Sequence, residues 1–244
     1  MLVFLRLYTL IIDYLTFEFY STMESIMEKM TSFFTERVGG YEEHMLTNIG
    51  NKEGYVVMSK LIPSSCKSLL DLGCGTGLEL DEILKVMPDL DITGIDLTQA
   101  MLDKLKRKHP DKYLHLICGS YFDVPFGNSK YECVISFQTL HHFSHDSKTG
   151  LYHKIHRALT SDGIYIECDY MVENQEEEDF YYAENLRIRK ELGISSTDFY
   201  HYDTPCTITN QIVMLKNAGF YDVTKVFRIE NTTILVARKS NINL

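Results

Sequence analysis

Between Leu70 and Leu78 the chain sets an acid and three glycines at alternate positions, with a thiol between two of the glycines: Asp71-Leu72-Gly73-Cys74-Gly75-Thr76-Gly77. The apolar run Ser68 to Leu72 reads as a short buried strand that breaks into a turn opening a helix. Glycines in such a turn let the backbone approach a ligand without Cβ clashes. Dinucleotide loops have the spacing G-x-G-x-x-G and cradle a pyrophosphate. Here the third glycine comes one residue early and Asp71 precedes the first. A carboxylate would repel a pyrophosphate and attract an ammonium or sulfonium. The expected ligand therefore has an adenosine end and a cationic end.

S-adenosylmethionine meets that description. Asp96, roughly 20 residues on, ends the next strand, where an acid takes the ribose hydroxyls of an adenosine. The same residue could instead cap the helix that starts near Thr98. Cys74 sits in the loop, where only a small side chain fits. His141, His142 and His145 invite a metal reading, but no Cys or carboxylate completes a set at familiar spacing, so no metal is expected. His141 or His142 could act as a general base near neutral pH, or could pack beneath its loop and position the backbone. Tyr41, Tyr55 and the aromatics of 180–202 could close a pocket beside a sulfonium through cation–π attraction, or form the core of a cap.

These residues must be positioned by alternating strands and helices. Helices are expected over 24–36 and 52–61, then strand 68–72, helix 77–87, strand 91–96, helix 98–108 and strand 113–118. Strand 131–136, helix 147–159 and strand 164–169 follow. After Glu173 the regularity breaks: a helix over 175–192, a loop over 195–206, a helix to about Gly219, and two strands, 221–228 and 232–238, forming an antiparallel hairpin. Such alternation predicts a parallel sheet in an α/β fold.

The chain has 244 residues, 45% of them hydrophobic and 24% charged, with a net charge of −10. That length fits one large domain with a buried core. The acidic balance disfavours a nucleic-acid footprint, and the one basic cluster, Lys104 to His109, suits a solvated helix end. Six cysteines without a C-x-x-C pair imply a reduced, cytoplasmic setting. Residues 1–22 are apolar, but Arg6, Asp13 and Glu18 interrupt them, so neither a membrane span nor a secretory signal fits. They read as an N-terminal extension whose native status is open, with Met23, Met27 and Met30 as alternative starts.

The chain resembles the class I S-adenosylmethionine-dependent methyltransferases. The resemblance rests on Leu70 to Gly77, Gly94-Ile95-Asp96-Leu97, Gly119-Ser120 with Asp123 to Phe126, Val134 to Ser136 running to Leu140-His141-His142-Phe143, Ala158 to Gly163, and Ala218-Gly219-Phe220. It covers about 30–239. It implies a Rossmann-like seven-stranded sheet of order 3-2-1-4-5-7-6 with the last strand antiparallel, helices on both faces and a small helical cap. One domain over 23–244 is expected, with cap elements at about 23–62 and 173–206. The implied cofactor-binding residues are Tyr55, Asp71, Gly73, Cys74, Gly75, Gly77, Asp96, Leu97, Met101, Ser120, Tyr121 and Phe137, with His141 and His142 as base or positioning residues. Ser120 departs from the family's usual acid at that position.

What the resemblance implies in function is in-line methyl transfer to a small-molecule acceptor, with no nucleic-acid or membrane partner and either a monomer or a homodimer. The C-terminal plan is similar to that of carboxy-S-adenosylmethionine synthases, which serve tRNA wobble-uridine modification. That activity needs an arginine in the loop to hold the added carboxylate, and residues 193–206 contain no Lys or Arg. A non-catalytic cofactor-binding homologue is the remaining alternative.

Overall fold

The computed structural model describes residues 27–195 and 197–240; the expected extension at 1–22 lies outside them. In chain order the elements are β1 (Glu28–Lys29), α1 (Met30–Arg37), α2 (Tyr41–Thr47), α3 (Ile49–Leu61), β2 (Ser68–Leu72), α4 (Leu78–Val86), β3 (Asp91–Asp96), α5 (Gln99–Lys108) and β4 (Leu114–Cys118). Then come β5 (Tyr131–Phe137), α6 (His145–Ala158), β6 (Leu159–Val172), α7 (Gln175–Glu191), β7 (Tyr200–His201), β8 (Cys206–Thr207), α8 (Ile208–Asn217), β9 (Asp222–Ile229) and β10 (Thr232–Arg238).

The central sheet has the order β4-β3-β2-β5-β6-β10-β9. Counted along the chain, that is the expected 3-2-1-4-5-7-6. Strands β2 to β6 run parallel, and β10 is antiparallel to both β6 and β9. The inner strands are buried on both faces, which is why they read as apolar runs without clean alternation. Leu70, Leu72 and Val134 pack on one face with Leu151, Tyr152 and Leu215 of α6 and α8. Leu69, Cys133 and Ile135 pack on the other with Met58, Leu80, Ile83 and Leu105 of α3, α4 and α5.

Side-chain caps set several helix starts: Asn48 accepts from the Asn51 amide, Asn174 from Glu177 and Thr207 from Asn210. Differences from the sequence expectation cluster before β2 and after β6. The first expected helix begins later, at Met30, and α2 is an additional short helix. The expected loop over 195–206 holds two short strands. β7 pairs β1, and β8 extends alongside β6 with Met171 opposite Cys206. These pairings, with the Met30 amide donating to the Phe199 carbonyl at 3.0 Å, tie the N-terminal helices to the 197–207 segment over the carboxyl ends of the strands. Among the described residues no helix is long and apolar enough to cross a membrane.

Candidate active site

The glycine loop leaves β2 with Gly73, Gly75 and Gly77 all at positive φ, at 73°, 48° and 74°. A Cβ on Gly73 would stand 2.4 Å from Thr139 Oγ1, and one on Gly77 2.4 Å from Leu105 Cδ1. Four of the loop amides are already spoken for. Those of Gly73 and Cys74 donate to the Ile95 carbonyl at 2.8 and 3.1 Å, and that of Gly77 donates to Cys74. The Gly75 amide donates to Asp96 Oδ2 at 2.9 Å. This is not the nest of free N–H groups that a pyrophosphate requires.

Asp96 stands at the end of β3, its other oxygen accepting from the Thr98 amide at 2.8 Å. It therefore holds the turn into α5, whose N-cap is Thr98, and it also lines the cavity. Burial pushes its pKa up to about 6. Gly73, Gly75, Asp96, Leu97, Met101, Ser120 and Tyr121 line one compact cavity, together with Met30, Phe34, Tyr41, Gln138, Thr139 and Phe199. Its void is about 50 Å³, well below the roughly 300–1,000 Å³ of small-molecule sites. The aromatic and methionine side chains of the cap stand where a ligand's bulk would go. The chemistry of the walls nonetheless fits an adenosine: an acid at the ribose position, an apolar slot from Leu97 and Met101, and close backbone at Gly73 and Gly75.

A second, larger cavity of about 820 Å³ shares Phe34, Tyr41 and Gln138 with the first. Gln138 has a φ of 49°, a strained conformation for a residue with a side chain. It is held there because its amide donates to the Cys168 carbonyl at 2.8 Å and its Nε2 donates to Asn51 Oδ1 at 2.9 Å. His141, His142, His201 and Asp203 form one wall. His141 Nδ1 lies 2.5 Å from Asp169 Oδ1, and Asp169 is itself fixed by the Leu140 and Tyr170 amides. Burial works against a charged imidazole at His141, but the Asp169 carboxylate carries its pKa above the ordinary value. His142 is lowered by burial and by His141 beside it. His201 is pushed down to about 3 by burial and by His142. Asp203 Oδ1 faces both histidines, 3.5 Å from His141 Nε2 and 3.3 Å from His142 Nδ1. The Thr204 amide and hydroxyl both donate to the His141 carbonyl, which pins the Asp203 loop in place.

Residues 69–163 match the methyltransferase domain family model. The chain carries a class I S-adenosylmethionine-dependent methyltransferase domain. It is 26% identical over 237 residues to the carboxy-S-adenosyl-L-methionine synthase of Nautilia profundicola, covering 91% of this chain and 94% of that protein. A proposed O-methyltransferase from Nostoc punctiforme superposes with a TM-score of 0.65 at 22% identity, over 87% of this chain and 62% of that one. Human N-acetylserotonin methyltransferase, solved with S-adenosylmethionine, superposes with a TM-score of 0.58 at 18% identity, over 80% of this chain and 54% of that one. The chain thus spans less than two thirds of either solved neighbour. S-adenosylmethionine is the cofactor of this methyltransferase.

Several expected contacts of the methyltransferase fall elsewhere. Asp71 is fully buried and lines neither cavity. Side chains alternate along β2, so Asp71 points away from the face of Leu70 and Leu72, under α4, where it meets Glu79. Burial and Glu79 raise its carboxyl well above the usual range, and Glu79 is pushed up to about 7 by burial. Neither Asp71 oxygen has a hydrogen-bond partner among the described residues, and the carboxyl expected to face a cationic ligand sits beneath the loop, outside the lining of both cavities. Tyr55 and Phe137 stack on each other at 4.0 Å and are both buried behind the cavities. Cys74 is buried against Gly94, and Gly77 serves the turn into α4. The Ser120 hydroxyl accepts from the Phe122 amide at 3.2 Å, so its oxygen is partly committed.

Sequence spacing did not bring out Phe34, Gln138, Thr139, His201 or Asp203. For Gln138 and Thr139 the available signal was their place directly after Phe137, between the end of β5 and His141. The fold also supplies the carboxylate that sequence spacing did not find for the histidines. Among the described residues two trios place ligand-type atoms within 4.8 Å of one another: His141, His142 and Asp203, and His145, Glu178 and Cys206. In the second, Lys148 Nζ lies 3.1 Å from Cys206 Sγ, which puts a fixed cation on the thiol.

Proposed function

We propose that this methyltransferase methylates a small molecule held in the larger cavity, with the nucleophile presented from the His141 and His142 wall. The observation that carries the reading is the pair of adjoining cavities. The smaller one has adenosine-compatible walls. The larger, at about 820 Å³, falls within the range of small-molecule sites. When bound, S-adenosylmethionine supplies a methyl group on a sulfonium, which is lost in one displacement. The chain's task is then to hold donor and acceptor in line, which can supply roughly 7–11 kcal/mol. Gly73, Gly75, Asp96, Leu97, Met101, Ser120 and Tyr121 hold the donor. Phe34, Tyr41 and Gln138 stand between the two chambers. Asp169 orients His141, and the cap formed by 27–62 and 173–206 excludes water.

Mass spectrometry of ligands retained through native purification, followed by a broad acceptor screen for S-adenosylhomocysteine formation, tests this reading. Cofactor binding without turnover of any acceptor would sink it and leave a binding homologue.

A second reading, formation of carboxy-S-adenosylmethionine, is favoured by the likeness to the Nautilia synthase over 91% of this chain. Against it, residues 193–206 offer no cation. Arg37 does line the larger cavity, but its guanidinium is engaged by Glu28 at 2.8 Å and by the Phe33 carbonyl at 3.1 Å. Carboxylated cofactor co-purifying with the protein would decide for this second reading.

A further inference from the structure

The His141, His142 and Asp203 wall brings three ligand-type atoms together at separations longer than good hydrogen bonds, with His142 Nδ1 also 3.4 Å from the Tyr202 carbonyl. Asp203 Oδ1 is 3.5 Å from His141 Nε2 and 3.3 Å from His142 Nδ1, whereas N–H···O bonds run about 2.7–3.2 Å. Two ligand atoms on one tetrahedral ion, each about 2.0–2.1 Å from it, stand about 3.3–3.4 Å apart. His141 also carries the outer partner that metal-binding histidines have: Asp169 stands at Nδ1, and a neutral ring that donates Nδ1–H there turns its Nε2 lone pair toward Asp203. Asp169 is locked by two backbone amides and the Asp203 loop by Thr204, so His141 and Asp203 are held in place before any ligand arrives. All three residues line the larger cavity.

We propose that His141 Nε2, His142 Nδ1 and Asp203 Oδ1 bind a divalent transition metal of the zinc class, with the fourth position left to the occupant of the cavity. Three protein ligands and one open position make the arrangement of a reactive rather than a closed structural site. Its use in the reaction rests on the methyl-transfer reading; the site itself does not. In that use, an acceptor hydroxyl or thiol binds the ion and loses its proton to water. Its lone pair then forms the new bond to carbon while the carbon–sulfur bond breaks, the bonding pair staying on sulfur. The trio of His145, Glu178 and Cys206 is the internal contrast, since Lys148 already holds the cationic position there.

The test is a titration of the full chain, stripped with chelator, with Co²⁺ and then Zn²⁺ in the absence of cofactor and acceptor. One Co²⁺ per chain with a tetrahedral visible spectrum, lacking a thiolate charge-transfer band and displaced by Zn²⁺, is the expected result. Asp203→Asn and, separately, His142→Gln should weaken binding by at least about tenfold, while Cys206→Ser leaves it unchanged. No stoichiometric Co²⁺ uptake by the wild-type chain would overturn the proposal. So would a thiolate band, or equal binding by whichever of the two ligand variants folds. Because the readout involves no methyl transfer, an inactive protein that binds Co²⁺ at this site would overturn the methyl-transfer reading alone.

Discussion

Replacing Asp96 with alanine is the sharpest single test of the donor site. The carboxylate already anchors the Gly75 and Thr98 amides, and on the proposed reading its remaining lone pairs take the two ribose hydroxyls. A hydrogen bond to a charged group contributes about 1.5–3 kcal/mol. Two at the lower end come to about 3 kcal/mol, or roughly 150-fold in Kd. The assay is calorimetric binding of both S-adenosylmethionine and S-adenosylhomocysteine, with thermal melting as a check on folding. Asp96→Asn, which keeps the shape and one acceptor, should fall between wild type and alanine. The ribose is common to both ligands, so both affinities should fall by the same factor. Because burial raises the Asp96 pKa to about 6, wild-type affinity should also weaken as pH drops through that value, the protonated acid being a poorer acceptor. Affinity within threefold of wild type, or a loss confined to the sulfonium ligand, would refute the ribose assignment.

Other outcomes follow from the same geometry. Gly73→Ala places a Cβ 2.4 Å from Thr139 Oγ1 at a φ of 73°; left-handed backbone alone costs about 1–2 kcal/mol, so melting should fall by several degrees and cofactor binding should be lost. Gly50→Ala drives α3 into Thr232 at 2.8 Å and the Ile229 carbonyl at 2.9 Å, and a lowered melting temperature with cofactor affinity largely kept is expected. Glu79 is pushed from 4.5 to about 7 by burial. The stability it contributes is therefore full below the unfolded value and is lost as pH rises through about 7. Melting temperature of the cofactor-free protein should decline between pH 5 and 8, and Glu79→Gln should flatten that decline; an unchanged slope would count against the buried pair.

The sheet was legible because its inner strands are buried on both faces and each is followed by turn residues, so Leu69 to Leu72, Ile92 to Ile95 and Cys133 to Ile135 announce themselves without help from tertiary context. Of the expected cofactor residues, Gly73, Gly75 and Asp96 line the smaller cavity, and their place follows from backbone and strand ends. The site was not legible where direction matters. Asp71 sits one residue out of phase with the cavity face, which strand alternation fixes but a motif match ignores. Tyr55 and Phe137 are large and apolar enough to be core, and they are. Asp203 reaches His141 and His142 only because Thr204 pins a loop whose two short strands have no pattern of their own, and β1 with β7 is too brief to register in any window of residues. Long-range pairings of two residues leave almost no trace in local sequence.

Phe34, Tyr41 and Gln138 belong to the walls of both chambers. A ligand that shifts any of these three side chains on filling one chamber resets a boundary of the other, and two such ligands are thermodynamically linked whatever the order in which they arrive. The factor by which bound donor changes the acceptor's dissociation constant must equal the factor by which bound acceptor changes the donor's. Truncating Phe34 should shrink that common factor toward unity from both directions at once.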